Sequence, residues 1–274
     1  GEYATFERGA RIYEQLLQMR NISPEDMMKL QTDNLNMRAQ TVLPAMIQAV
    51  ENHSLTNSET KALELLRNWD FYSTKSSQAP IIFDYWWDAL QEELWKDDLP
   101  GDADGAFIYP DAGVTMDFIL NDTTNHLFDI KTTSKRETCS DVLALSFKRA
   151  YQQLVEKFGA PGEGWRWGKA RGTHIRHIAR ILGLGRSGLE TDGNAAIVNA
   201  TRKYAGPSWR MIVELGPRPR AWGIYPGGQS GNPGEMAFDQ FIDKWVDGEY
   251  YELLYLKSPT EIHQRLVAKT IIRN

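Results

Sequence analysis

Apolar residues recur at helical spacing through most of the first 160 residues. The pattern predicts six helices, over residues 5–19, 23–33, 38–52, 57–69, 79–95 and 137–158. The second begins Ser23-Pro24-Glu25-Asp26, a capped start with acids in its first turn. The segment 79–95 is apolar enough to be a buried helix, whereas Asp, Gly and Pro make 99–122 look rich in loops.

Alternation typical of strands appears late in the chain. Trp209, Met211, Val213 and Leu215 alternate with Arg210, Ile212 and Glu214, which predicts a strand with one mostly apolar face. A second strand is predicted over 220–225, ended by Pro226-Gly227-Gly228. Because a parallel return would need a long crossover, the two strands should form an antiparallel hairpin. Further helices are predicted at 237–245 and 259–265.

These elements predict an α+β protein dominated by helices, with strands mainly after residue 190. We expect a helical part over 1–183, a linker over 184–192, and closing strands with C-terminal helices over 193–274. Gly183, Gly185 and Gly188 fit the spacing G-x-G-x-x-G. A dinucleotide site would need a preceding strand and a following helix, and neither is predicted, so a flexible linker is expected instead.

Composition excludes several classes of function. A formal net charge of −5 over 274 residues argues against non-specific nucleic-acid binding. No stretch is long and apolar enough to be a transmembrane segment, so no membrane partner is expected. Cys139 is the single cysteine and cannot form an intrachain disulfide. The chain opens on Gly1 shortly before a predicted helix, which is typical of a domain taken from something longer.

Residues that could carry chemistry are sparse. Ser187, Ser208 and Ser230 lie beside glycines but outside the G-x-S-x-G elbow, and we expect Ser208 and Ser230 to satisfy turn backbone groups. His174 and His177 lack a third ligand nearby and should be structural or surface residues. The acidic loop with Asp97, Asp98, Asp102 and Asp104 lacks the alternation of a calcium loop. An unrelated enzyme using Asp97, Asp98 and His126 has no supporting spacing.

Several short motifs occur in an order that resembles a known family. They are Arg8 to Ile12 (RGARI), Gln31 to Asp33, Leu65 to Asp70 (LLRNWD), Glu137 to Asp141, Trp165 to Gly168 (WRWG), Gly206 to Arg210 (GPSWR) and Pro226 to Gly231. Together they resemble the C-terminal portion of the large chain in the penicillin acylase (penicillin amidase) family of N-terminal-nucleophile hydrolases. The resemblance covers nearly the whole chain.

The resemblance implies an αββα sandwich that hydrolyses C–N bonds in linear amides with an apolar acyl group. In the family an N-terminal Ser attacks the amide, its own α-amine acts as base, and an oxyanion hole includes an Asn side chain. Neither that Ser nor that Asn is identified in this chain, and the family calcium site also lies outside it. We therefore expect no cofactor or metal site here. Arg8 is the one functional position carried over, in a supporting role.

The resemblance also implies partners and a location. This chain should need the missing N-terminal portion of the same precursor, be inactive alone, and work in the periplasm or as a secreted protein. Its hairpin edge, left without partner strands, could pair with a second copy. The alternative is a non-catalytic binding or scaffold module derived from an acylase.

Overall fold

The structure is a computed structural model that describes residues 6–99, 109–204, 206–258, 260–266 and 268–272. Its helices are α1 (Glu7–Gln18), α2 (Pro24–Gln31), α3 (Met37–Val50), α4 (Asn57–Arg67), α5 (Ala79–Trp95), α6 (Ala112–Asn121), α7 (Cys139–Phe158), α8 (Trp167–Arg171) and α9 (Ile242–Val246). Short 3₁₀ turns lie at His126–Phe128 and Glu163–Trp165. The strands are β1 (Thr173–Ile175), β2 (Arg186–Leu189), β3 (Arg210–Glu214), β4 (Arg220–Ile224) and β5 (Tyr251–Leu253).

The core lies between helices, with α5 at its centre. This helix is buried on nearly all sides and packs chiefly against α7, with α4 and α8 on its flanks. Trp86 on α5 meets Phe147 on α7 edge to face, and its indole Nε1 donates to the Leu143 carbonyl at 3.0 Å. A buried indole that keeps its hydrogen bond contributes its full apolar area without a desolvation penalty. The prediction that 79–95 is a buried helix is confirmed.

The helix starts are fixed by local sequence. Ser23, Thr56 and Thr138 each form a capping box with the acidic residue three positions later. Each box satisfies backbone N–H groups that a helix start leaves without partners. The predicted capped start at Ser23 therefore appears as expected.

Two small antiparallel sheets complete the fold. β3 and β4 form the expected hairpin, with Arg210 opposite Ile224 and Glu214 opposite Arg220, and β5 adds to the other side of β4. β1 pairs with β2 in a separate two-stranded sheet. The described fold is thus helix-dominant with small sheets, and three of its five strands follow residue 190.

Several local predictions differ from the structure, and the predicted helix 237–245 is helical only over Ile242–Val246. Part of the supposed loop 99–122 is helix α6, capped by Asp111 and held by buried Thr115, Met116 and Ile119; residues 100–108 lie outside the described part. Arg186–Leu189, inside the expected linker, pairs as β2. The described residues of the predicted helix 259–265 form turns, because exposed side chains such as Ile262 supply no packing for so short a helix.

Two elements, α1 and β3, have an apolar face that is exposed, the reverse of the usual arrangement in an element that packs on a core. On α1 the buried side chains are Glu7 and Arg11, while Tyr13 and Leu17 are 66 % and 56 % exposed. On β3, Arg210 and Ile212 face inward, and the alternate residues are exposed. That outward set is Trp209, Met211, Val213 and Leu215. The apolar face predicted for this strand exists, but it faces away from the described core.

The capping box at the start of α7 generates a prediction about pH. Hydrogen bonds from Lys135 and Thr138 lower the pKa of Asp141 to about 2. A depressed folded-state pKa gives stability that is present above the unfolded value near 4 and is lost as pH falls through about 2. Asp141→Asn should cost about 1 kcal/mol at pH 7 and should flatten the loss of stability between pH 5 and pH 2, as measured by urea unfolding.

The matched control is Glu25→Gln, which removes the same charge from the first turn of α2, where the exposed Glu25 side chain has no hydrogen bond among the described residues. Equal unfolding free energies for the Asp141 variant and wild type at pH 7 would contradict the role given to the capping box.

Candidate functional site

Arg8 lies on the wall of an open cleft of about 500 Å³. The cleft runs between α1, the C-terminal end of α2 and the chain on either side of residue 205. Its lining residues are Arg8, Gln31, Val198, Ala200, Arg202, Gly206, Pro207, Ser208, Trp209 and Arg210. Three of these carry positive charge and none carries negative charge, so the described part of the cleft favours an anionic or oxyanionic group.

The position of Arg8 is set by ion pairs of its neighbours on α1. Glu7, 1 % exposed, accepts from Arg38 on α3 at 2.8 Å, and Arg11 donates to Asp33 at 2.9 Å. Burial opposes the charge of Arg11, but its hydrogen bonds to Asp33 and Glu14 outweigh that effect and raise its pKa. With both neighbours fixed, α1 cannot rotate, and Arg8 is held half-buried toward the cleft without an ion-pair partner among the described residues.

Asn199 joins the floor of the cleft to the helical core. Its backbone N–H donates to the Asp33 carbonyl at 3.0 Å, and its side-chain amide donates to Asn34 Oδ1 at 2.9 Å. Its side-chain oxygen accepts from Arg210 Nη2 at 2.8 Å. One buried amide therefore connects the α2–α3 turn, which also binds Arg11, to strand β3.

Arg210, whose side chain is buried, places another positive charge at the cleft. Nη1 donates to the Trp245 carbonyl at 2.8 Å and the guanidinium lies 5.3 Å from the centre of that indole ring. Burial lowers the pKa of Arg210, because neither of its hydrogen-bond acceptors carries a charge. Its Nε is buried and has no hydrogen-bond partner among the described atoms. Among the described residues, the hydrogen bonds of the Arg210 guanidinium therefore go to neutral dipoles.

The segment 191–201, which carries the wall residues Val198 and Ala200, is held by the end of α8. Arg171 donates to the carbonyls of Thr191 and Gly193 at 3.0 and 2.6 Å, and Trp167 Nε1 donates to Gly193 at 2.8 Å. Burial lowers the pKa of Arg171 to about 10. The planar guanidinium therefore gives hydrogen-bond donors to several carbonyls of an irregular segment whose backbone does not pair in a sheet.

The other residues singled out in the sequence do not converge on the cleft, apart from Ser208, which is exposed on its wall. Ser230 accepts from Asn232 N–H in a turn, as expected, whereas His174 stacks on Tyr204 on a strand. Asp98 pairs with Lys131. Asp102 and Asp104 lie outside the described residues, and within those residues no cluster of three His, Cys, Asp or Glu could hold a metal ion.

Sequence reasoning missed the residues that build the cleft. Asn199 and Arg171 are polar side chains in segments without regular period, and Arg210 lies in the more polar set of alternating positions on β3, so nothing in the pattern separates them from surface residues. Their one usable signal is proximity to motif residues: Arg210 ends GPSWR, and Arg171 follows WRWG by three positions.

The fold is that of an acylase family. The model of the penicillin amidase family matches residues 1–261, and the chain belongs to that family. Among the described residues no helix is long and apolar enough to cross a membrane.

The relatives found by sequence comparison are much longer than this chain. The chain is 24 % identical over 222 residues to the acyl-homoserine lactone acylase QuiP of Pseudomonas aeruginosa, covering 69 % of this chain and 26 % of that protein. It is 30 % identical over 139 residues to QuiP of Pseudomonas syringae pv. tomato, covering 46 % of this chain and 17 % of that protein. The chain thus spans about a quarter or less of these relatives.

A solved structure shares the fold. The thermostable penicillin G acylase of Alcaligenes faecalis superposes with a TM-score of 0.59 at 12 % identity, over 98 % of this chain and 54 % of that one. The predicted family and fold class are therefore confirmed. The supporting role of Arg8 stays a prediction.

The wall held by Arg171 depends on one glycine. Gly193 has a φ of 92°, and a Cβ there would lie 2.1 Å from the Asn199 carbonyl oxygen. Gly193→Ala should lower the unfolding free energy by at least about 2 kcal/mol, from left-handed strain together with the forced shift of Asn199. Urea denaturation followed by tryptophan fluorescence measures the change.

Gly231→Ala is the matched control, because its Cβ would meet nothing within 4 Å and its φ is not positive. If Gly193→Ala proves as stable as Gly231→Ala, segment 191–201 is not locked in the way described.

Proposed function

We propose that this protein hydrolyses linear amides with an apolar acyl group, and that this chain supplies the cleft wall bearing Arg8. The observation that carries the proposal is a cationic cleft, without a carboxylate among its described lining residues, in a member of the penicillin amidase family. Amide hydrolysis develops negative charge on the carbonyl oxygen and then releases a carboxylate. Fixed cations and N–H donors stabilise such species in a site closed to water.

The nucleophile is proposed to come from a portion of the precursor N-terminal to this chain. The short coverage of the relatives supports this division. So do the outward apolar faces of α1 and β3, which flank the cleft and include Trp209 on its wall. Apolar side chains on two elements beside one cleft are typical of a surface that another layer of the same fold covers. By resemblance, the location is periplasmic or secreted.

The sheet edges support a weaker proposal, pairing with a second copy. The edge at β3 is partly occupied, since Gln31 Nε2 donates to the Met211 carbonyl at 3.1 Å. On its other side, β5 has no strand partner beyond β4 among the described strands. Light scattering at increasing concentration tests this pairing, and a clean monomer at high concentration would count against it.

Activity should require both portions. The purified chain, given a chromogenic phenylacetyl or fatty-acyl amide, should release no product above buffer. The complete precursor, after self-processing, should hydrolyse it. In that complete protein Arg8→Ala should lower kcat/KM by about 10²-fold, as removal of a single stabilising donor does in other hydrolases. Steady-state kinetics measures the change, with circular dichroism to confirm folding.

Arg20→Ala is the control for Arg8→Ala, since it removes an exposed arginine beyond the end of α1 that donates to the Leu17 and Met19 carbonyls. Hydrolysis by the purified chain alone, surviving repurification, would refute the two-portion proposal. A complete precursor without amidase activity would favour the non-catalytic module instead.

A further inference from the structure

The strand pair β1–β2 and the segment between them, residues 173–189, form a protruding ribbon with an unusual composition. We call it the basic ribbon. It contains Arg176, Arg180 and Arg186 and no Asp or Glu, in a protein whose formal net charge is −5. At its tip, Ile178 and Leu182 are 101 % and 96 % exposed. Its tip is apolar and its flanks are cationic.

The cations of the ribbon are available for a partner. Arg176 lies 3.7 Å from the centre of the Tyr204 ring, and Lys203 lies 5.3 Å from the same ring. Arg176, Arg180 and Lys203 are exposed and pair with no carboxylate among the described residues. At the ribbon's base, Asp239 and Asp243 both pair with Arg186, at 2.8 Å each, and so face the ribbon's own arginine.

We propose that the basic ribbon seats the protein on a surface of anionic phospholipid, with Ile178 and Leu182 entering the headgroup–acyl boundary. Apolar side chains enter that boundary while cations beside them meet lipid phosphates. The prediction that there is no membrane partner rested on the lack of a spanning segment, and seating by a tip needs none. The proposal does not depend on the proposed amidase activity.

The shape of the tip favours a fluid surface over a folded protein partner. A protein interface buries its anchors in packed pockets on a fairly flat patch. Among the described residues, Ile178 and Leu182 are the two most exposed large apolar side chains, and they remain almost fully exposed at the tip. The tip also includes Arg180, a non-glycine residue held at a φ of 55°. A bilayer interface accepts projecting apolar side chains without a complementary pocket, and its negative charge complements Arg176, Arg180 and Lys203.

Vesicle sedimentation tests the proposal with the purified protein. Binding to vesicles of phosphatidylglycerol and phosphatidylcholine should exceed binding to phosphatidylcholine alone, and it should weaken as salt is raised from 50 to 500 mM. Each cation near an anionic leaflet changes binding by about fivefold. Arg176→Gln/Arg180→Gln should therefore weaken binding at least tenfold, and Ile178→Ser/Leu182→Ser should do so with little change in salt dependence.

The control variant is Met236→Ser/Ile262→Ser, which removes two side chains that are 93 % and 88 % exposed outside the ribbon and next to acidic residues. It should bind vesicles like wild type. Equal loss in this control, equal binding to both kinds of vesicle, or no vesicle binding would each overturn the proposal. So would a tip variant that loses self-association in light scattering while vesicle binding is unchanged, since the ribbon would then be an interface between copies.

Discussion

The arrangement of the cleft depends on the buried side chain of Asn199. Its amide and backbone bind the α2–α3 turn, and its oxygen binds Arg210 on β3. A single apolar replacement would remove one hydrogen-bond partner each from Asn34 and from the buried Arg210. An unsatisfied buried polar group costs about 1–3 kcal/mol, more when it is charged. Because the same turn binds Arg11, the orientation of α1 and the position of Arg8 depend on this junction too.

Charged groups attach α1 to the body, and on β3 a charged group does so beside the inward-facing Ile212. Glu7, Arg11 and Arg210 face inward and are each bound by named partners. Such contacts are directional, so they fix rotation and register where a sliding apolar contact would not. They also free the opposite faces of both elements to be apolar and exposed. The inward polar contacts of α1 and β3 thus fix the walls of the cleft, while their outward apolar faces leave it open.

The sequence was most informative where one period dominated over many residues. The helix 79–95 was predictable from its long apolar run, and the first strand of the hairpin 209–225 from alternation every 2 residues. Helix α6 was missed because Gly113 and the Asp and Pro residues before it obscured a short apolar face. The direction in which the β3 apolar face points was not predictable, because Arg210 is drawn inward by Asn199 and the Trp245 carbonyl, partners remote in sequence. The contact between Asn199 and Arg210 at the floor of the cleft could not be predicted for the same reason.

Two of the motifs that resemble the family pack the walls of the cleft. In GPSWR, a Cβ on Gly206 would lie 2.6 Å from the Trp245 ring, and that indole donates to the Pro207 carbonyl at 2.8 Å. In WRWG, a Cβ on Gly168 would lie 2.8 Å from Glu190 and Lys75 side-chain atoms. These glycines allow a tryptophan or a neighbouring chain segment to approach, and those contacts hold the cleft walls. Close-packing motifs therefore shape the space where reaction is proposed, and Arg8, from the separate motif RGARI, is one of three arginines that line it.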